Sequence, residues 1–132
     1  MASSFQTRNN NFKRFNDLDL VALICLFSHE ITRRSVEYPT ILPAIQRWGR
    51  DLSNYGPGTI DLNLDAFPAS ALADSEFLSA ANAIKSFVSQ FGETLPAWVL
   101  NENCNIRGIK FSDFPVSNIN IAIDDLSALF DN

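Results

Sequence analysis

Reactive and metal-binding side chains are scarce in this chain of 132 residues, which has one histidine and two cysteines. The histidine, His29, precedes Glu30, but Arg33 occupies the position where the zinc-binding pattern HExxH needs its second histidine. The segment 61–65 begins like a calcium loop, and Ala66 then replaces the glycine that the sharp turn of such a loop requires. We therefore expect no metal and no cofactor.

The sequence also lacks a membrane-length apolar run, and we expect no secretory leader. Its longest apolar run, 20–27, falls well short of the roughly 20 residues that a membrane span needs. The polar N-terminus has no apolar leader segment, so we expect no membrane association and a cytoplasmic location. Cys25 lies inside the apolar run and is predicted to be buried, whereas Cys104 lies in a polar stretch and is predicted nearer the surface. A disulfide between them is possible but not required.

Acidic residues are absent from residues 1–16, which carry Arg8, Lys13 and Arg14. The rest of the chain holds seven basic residues against fifteen acidic ones, a net charge of −8. Binding to nucleic acid needs clustered lysine and arginine, so the charge argues against a direct nucleic-acid partner and for a basic protein partner. We expect residues 1–15 to form a flexible basic arm, or a strap laid on the body, and 16–132 to form a single globular domain.

The apolar pattern predicts a mainly α fold, with an α+β fold as the alternative. A helix over the all-apolar run would have no polar face there, so other elements must surround it. The other helices are predicted from apolar spacing, capping residues and glycine or proline stops. An alternating segment, with polar residues at every second position, predicts a short half-buried strand. The predicted helices span 17–34, 40–54, 74–91 and 117–130, and the predicted minor strand pair is 59–65 with 106–111.

The most distinctive landmarks are EYP at 37–39, YGPG at 55–58 and GIKFSDFP at 108–115. In its length, its acidity and its lack of a reactive constellation, the chain resembles the small immunity proteins of bacterial toxin–immunity systems, such as those of contact-dependent growth inhibition. The resemblance covers the general character of the whole chain. It implies a non-enzymatic module that binds and neutralises a basic toxin or effector domain.

Carboxylates supply the predicted partner-binding residues. Two of them share the outward side of the alternating segment, one lies in the turn before the last predicted helix, and two flank the apolar register of that helix. If the alternating segment lies close to that turn, we expect one negative surface that attracts a basic partner. The predicted residues are Asp61, Asp65, Asp113, Asp124 and Asp125.

Two alternative functions remain open at the level of the sequence, and the oligomeric state is open as well. The first is a small enzyme with an unrecognised site. Cys25 and His29 stand four residues apart on one predicted helix, but a nucleophilic cysteine needs an accessible thiolate, and Cys25 lies in the apolar run. The second is a structural or regulatory subunit that exposed aromatics hold to a larger assembly, with Phe5, Phe12 and Phe15 as candidates.

Overall fold

A helix over Asp17–Arg33, α1, is central in the computed structural model, which describes residues 2–104 and 109–130. Every side chain from Leu20 to Phe27 is at most 6% exposed, because the other helices all contact this one. The side chain of Asn16 caps its start by accepting hydrogen bonds from the backbone N–H groups of Leu18 and Asp19. The predicted central helix is confirmed.

The remaining elements confirm a mainly α single domain with minor strands. Helix α3 begins three residues earlier than predicted, because Ser70 caps it rather than Asp74. Within the described residues, no helix is both long enough and apolar enough to cross a membrane. The elements are β1 (Ser3–Arg8), β2 (Asn11–Asn16), α1, α2 (Leu42–Asp51), α3 (Ala71–Ser89), β3 (Thr94–Leu95), α4 (Ala97–Asn103), β4 (Phe114–Pro115) and α5 (Val116–Ala128).

Helix α2 depends on α3 for the cap at its N-terminus. No side chain of its own segment caps it, and Pro43 lies in the first turn, where a missing N–H is harmless. The buried carboxylate of Glu76, on α3, instead accepts hydrogen bonds from the backbone N–H groups of Thr40 (2.9 Å) and Ile41 (3.3 Å). A carboxylate at this end of a helix also complements the helix dipole.

Aromatic rings fill the core between α1, α3 and the C-terminus. Phe77 stacks on Phe130, with ring centroids 3.9 Å apart, and on Phe27 at 5.1 Å. Trp48 of α2 meets the edge of Phe27 and donates a hydrogen bond from its indole Nε1 to the carbonyl of Leu62 (2.8 Å). This bond satisfies the only polar atom of a buried indole, and it ties the chain after α2 to the core.

The N-terminal residues form a β-hairpin, so the prediction of a flexible arm over 1–15 is wrong. β1 and β2 pair antiparallel from Ser3 with Asn16 to Arg8 with Asn11. The two loop residues, Asn9 and Asn10, both have positive φ (52° and 66°), as tight hairpin turns require. Asparagine tolerates this left-handed backbone better than most residues, which explains why the Asn-rich stretch turns here.

The predicted strand pair 59–65 with 106–111 does not form within the described residues. The alternation was correct, since Ile60, Leu62 and Leu64 are buried and the residues between them are exposed. However, residues 59–63 form no strand, Asn63 has a left-handed backbone (φ 53°), and Leu64–Ala66 is a short 3-10 turn. Residues 106–108 lie outside the described residues, and 109–111 are not in a strand. The second strand pair is β3 with β4, two residues each.

A candidate docking surface on the N-terminal hairpin

Strand β1 turns its polar side chains inward. Ser4, Gln6 and Arg8 are all buried, whereas the residues between them are exposed. The Gln6 amide donates from Nε2 to the carbonyl of Ile60 (2.7 Å), and its Oε1 accepts from the N–H of Leu62 (2.8 Å). A side-chain amide thus makes the two hydrogen bonds that a neighbouring strand would make, and it satisfies the backbone of the 60–62 segment.

The other two inward residues of β1 also have polar partners, although the Nη1 atom of Arg8 is buried without a hydrogen-bond partner among the described residues. The Ser4 hydroxyl accepts from the N–H of Ile60 (3.1 Å) and donates to Asp17, at the start of α1. The Arg8 guanidinium donates to Asp74 of α3 (3.1 Å) and lies 4.1 Å from the ring centroid of Phe130, a cation–π distance. Hydrogen bonds and one ion pair therefore hold the hairpin on the body.

The outward face of the hairpin carries two exposed phenylalanines. Phe5 is 59% exposed and Phe12 is 65% exposed, and their rings touch edge to face with centroids 5.8 Å apart. In the strand register, Phe5 is opposite Arg14 and Phe12 is opposite Thr7, so these four residues share one side of the sheet. We call Phe5, Thr7, Phe12 and Arg14 the hairpin face. Of the three candidate anchor aromatics, Phe15 does not belong to it, because that ring is buried.

A pair of touching, exposed aromatic rings differs from the scattered apolar residues that any protein surface shows. Contiguous exposed apolar area in a folded protein marks interaction sites more often than isolated side chains do. Arg14 is held beside the rings by hydrogen bonds from its guanidinium to the Ser3 hydroxyl (2.9 and 3.1 Å). Phenylalanine with arginine is the composition found at the centre of protein–protein interfaces.

The five predicted carboxylates are attached to separate parts of the fold. Asp65 accepts a hydrogen bond from the N–H of Asn9 in the hairpin turn (3.2 Å), and Asp61 accepts one from the N–H of Asn63 (2.8 Å). The other three, on the C-terminal side, include one that caps the start of α4, one that pairs with a lysine of α3 and one that is half-buried on α5. These last three are Asp113, Asp124 and Asp125.

No hydrogen bond or ion pair among the described residues links Asp61 and Asp65 to the three C-terminal carboxylates. Asp113 accepts its hydrogen bond from the N–H of Ala97 (2.9 Å), and Asp124 lies 2.7 Å from the Nζ atom of Lys85. A carboxylate that is already paired with a lysine has less charge to offer a partner. These contacts give no support to a single acidic surface, which stays a prediction.

A disulfide between Cys25 and Cys104 removes the candidate nucleophile. The two Cα atoms are 5.1 Å apart, and the bond joins the middle of α1 to the residue that follows α4. Both cysteines are buried, so the prediction that Cys104 lies nearer the surface is wrong. Because a disulfide sulfur is no thiolate, Cys25 and His29 cannot act as a nucleophile with its base in this state.

No protein-family model, curated protein or solved structure matches this chain.

Proposed function

We propose that this chain is a non-enzymatic protein-binding module that docks through the hairpin face. The observation that carries the proposal is the contact between two exposed phenylalanines on a hairpin whose first strand is buried on its other side through polar bonds. Phe5 and Phe12 add nothing to the core. Aromatic side chains of this kind supply much of the binding energy at the centre of protein interfaces.

Neutralisation of a basic toxin or effector domain, which the resemblance implies, is the particular form of binding that we propose. Asp65 is bonded to the hairpin turn, so at least one predicted carboxylate lies beside the hairpin. In this arrangement Phe5 and Phe12 anchor the complex, and Asp61 and Asp65 meet basic groups at its rim. The net charge of −8 outside residues 1–16 attracts such a partner over long range, whereas the three basic residues of the hairpin itself oppose that attraction locally.

The disulfide bears on the compartment in which this binding takes place. Protein disulfides form and persist mainly in oxidising compartments, whereas the cytoplasm keeps most thiols reduced. The bond between Cys25 and Cys104 therefore favours an oxidising location over the cytoplasmic one expected from the polar N-terminus. Counting free thiols after alkylation of freshly lysed source cells would decide between the two locations.

The docking proposal is tested with a double variant, Phe5→Ala with Phe12→Ala. The partner is first captured by cross-linking the tagged wild-type chain in its source cells, and its affinity for each purified variant is then measured. Hot-spot aromatics are worth about 2 kcal/mol or more, so we expect binding to weaken at least about 30-fold. The melting temperature should stay close to the wild-type value, because neither ring belongs to the core.

The matched control is the pair Val36→Ala with Leu72→Ala. These side chains are also exposed and apolar, but neither lies on the hairpin. They should leave the affinity unchanged. Wild-type affinity in the phenylalanine variant would contradict docking through the hairpin face.

A charge-reversal variant, Asp61→Lys with Asp65→Lys, tests the basic partner separately. If the partner is basic, the association rate should fall in this variant, and the wild-type rate should fall as the salt concentration rises. An association rate that neither salt nor the reversals change would contradict the toxin-type partner, and it would leave the hairpin docking to be judged by the phenylalanine variant.

A further inference from the structure

A small cavity lies between α1 and α3, near the C-terminal end of α1. Its volume is about 120 Å³. Leu26, Ile84 and Phe87 supply its apolar walls, and His29, Glu30 and Arg33 supply its polar groups. A cavity with mostly apolar walls and a few convergent polar groups is the usual form of a small-molecule site.

The negative charge of Glu30, in the cavity wall, is already neutralised by neighbouring side chains. Glu30 is buried, and its Oε2 accepts a hydrogen bond from the Tyr38 hydroxyl (2.7 Å). Its Oε1 accepts one from Arg33 Nη2 (3.2 Å), and Arg34 lies 3.9 Å away on the other side. Because both oxygens have partners, this carboxylate is not free to bind a cationic ligand.

Unused hydrogen-bond donors lie on the other polar groups. The side chain of Arg33 is half exposed and gives one of its five N–H groups to Glu30. Its other N–H groups have no acceptor within the part of the chain that the structure describes. The His29 ring packs against Phe87 with centroids 5.9 Å apart, and no hydrogen bond to it is formed within that same part. The two residues are four apart on α1 and therefore share a face.

We infer that this cavity binds a small carboxylate with a short branched apolar tail. The tail would fill the space between Leu26, Ile84 and Phe87, and the carboxylate would take the free donors of Arg33. Guanidinium and carboxylate form paired, charge-assisted hydrogen bonds, which are about twice as strong as neutral ones. The site is independent of the hairpin face, so it adds a ligand to the proposed binding module.

Isovalerate is the probe, and the neutral alcohol 3-methyl-1-butanol is its matched control. Titration of the isotope-labelled full chain, followed by amide chemical shifts, should show saturable changes on 26–33 of α1 and 84–87 of α3. A ligand of this size should bind with a Kd of roughly 1 mM. The alcohol should bind about tenfold more weakly, because it lacks the charge that Arg33 recognises.

Arg33→Gln should also weaken isovalerate binding about tenfold, which is the loss of a charge-assisted hydrogen bond. Arg50→Gln, on the exposed side of α2, is the control and should bind like the wild type. Changes confined to the cavity and lost with Arg33→Gln support the inference. No saturable change, equal binding of acid and alcohol, or equal binding by the Arg33 variant would each overturn it.

Discussion

Reduction of the Cys25–Cys104 disulfide should remove much of the stability of this protein. The bridge connects residues 79 positions apart. In the chain-entropy description, closing a loop of that length restricts the unfolded chain enough to stabilise the native state by about 4.5 kcal/mol. Domains of this size are stable by about 5–15 kcal/mol, so reduction should remove from about a third to nearly all of that stability.

Urea unfolding with and without reductant measures this effect. With a urea dependence of about 1.5–2 kcal/mol per M, the midpoint should fall by about 2–3 M on reduction. Cys104→Ala should unfold near the midpoint of the reduced protein. Cys25→Ala should behave in the same way, because both cysteines are buried and each alanine removes one buried sulfur atom. Equal midpoints for the oxidised and reduced wild type would refute the reasoning, as would titratable thiols in the denatured protein without reductant.

Three further predictions concern the core and its buried polar groups. Leu23→Asp should unfold the domain, since an unpaired buried charge costs several kcal/mol, and a wild-type melting curve would show that α1 is not central. Glu76→Ala should lower the free energy of unfolding by about 2–3 kcal/mol and Glu76→Gln by less than half as much, because glutamine keeps a side-chain oxygen in place of Oε1, which accepts both hydrogen bonds at the start of α2; equal losses in urea titrations would count against the cap. Burial, and then the hydrogen bond to Glu30, raises the pKa of Tyr38 to about 12 from 10.0. The folded state therefore holds this proton more tightly than the unfolded state, and about 3 kcal/mol of stability that is fully present below pH 10 should be lost by about pH 12. Tyr38→Phe should lack that part of the pH dependence, and identical pH profiles of the two proteins would contradict it.

The elements that the sequence predicted well are those that apolar packing alone specifies. The run 20–27 leaves no polar face, so only a central helix accommodates it, and the structure has that helix. The hairpin escaped prediction for the opposite reason. β1 buries Ser4, Gln6 and Arg8 through specific bonds and exposes Phe5, so its apolar pattern is inverted. A hydropathy pattern shows which residues are apolar. It does not show which polar residues form hydrogen bonds or ion pairs that allow them to be buried.

The candidate surface was predictable only in part. Phe5 and Phe12 were already candidates from the sequence, together with Phe15. The third candidate, Phe15, is opposite Ser4 in the hairpin register, so both side chains lie on the inward side of the hairpin and are buried. Without the register of the hairpin, the sequence offered no way to separate the inward ring from the two outward ones.

The inward side of β1 is held to the body by polar bonds, whereas its outward side faces solvent. The fold therefore restricts the residue types on the inward side more than those on the outward side. At Gln6 the fold needs a side chain that donates and accepts at once, since Ile60 offers a carbonyl and Leu62 an N–H. At Phe5 and Phe12 the fold needs neither shape nor polarity, because these rings point to solvent. The outward positions are thus free to diversify at little expense in stability. Variants of this chain could exchange one binding partner for another by changing a few outward side chains, while the buried hydrogen bonds of β1 stay the same.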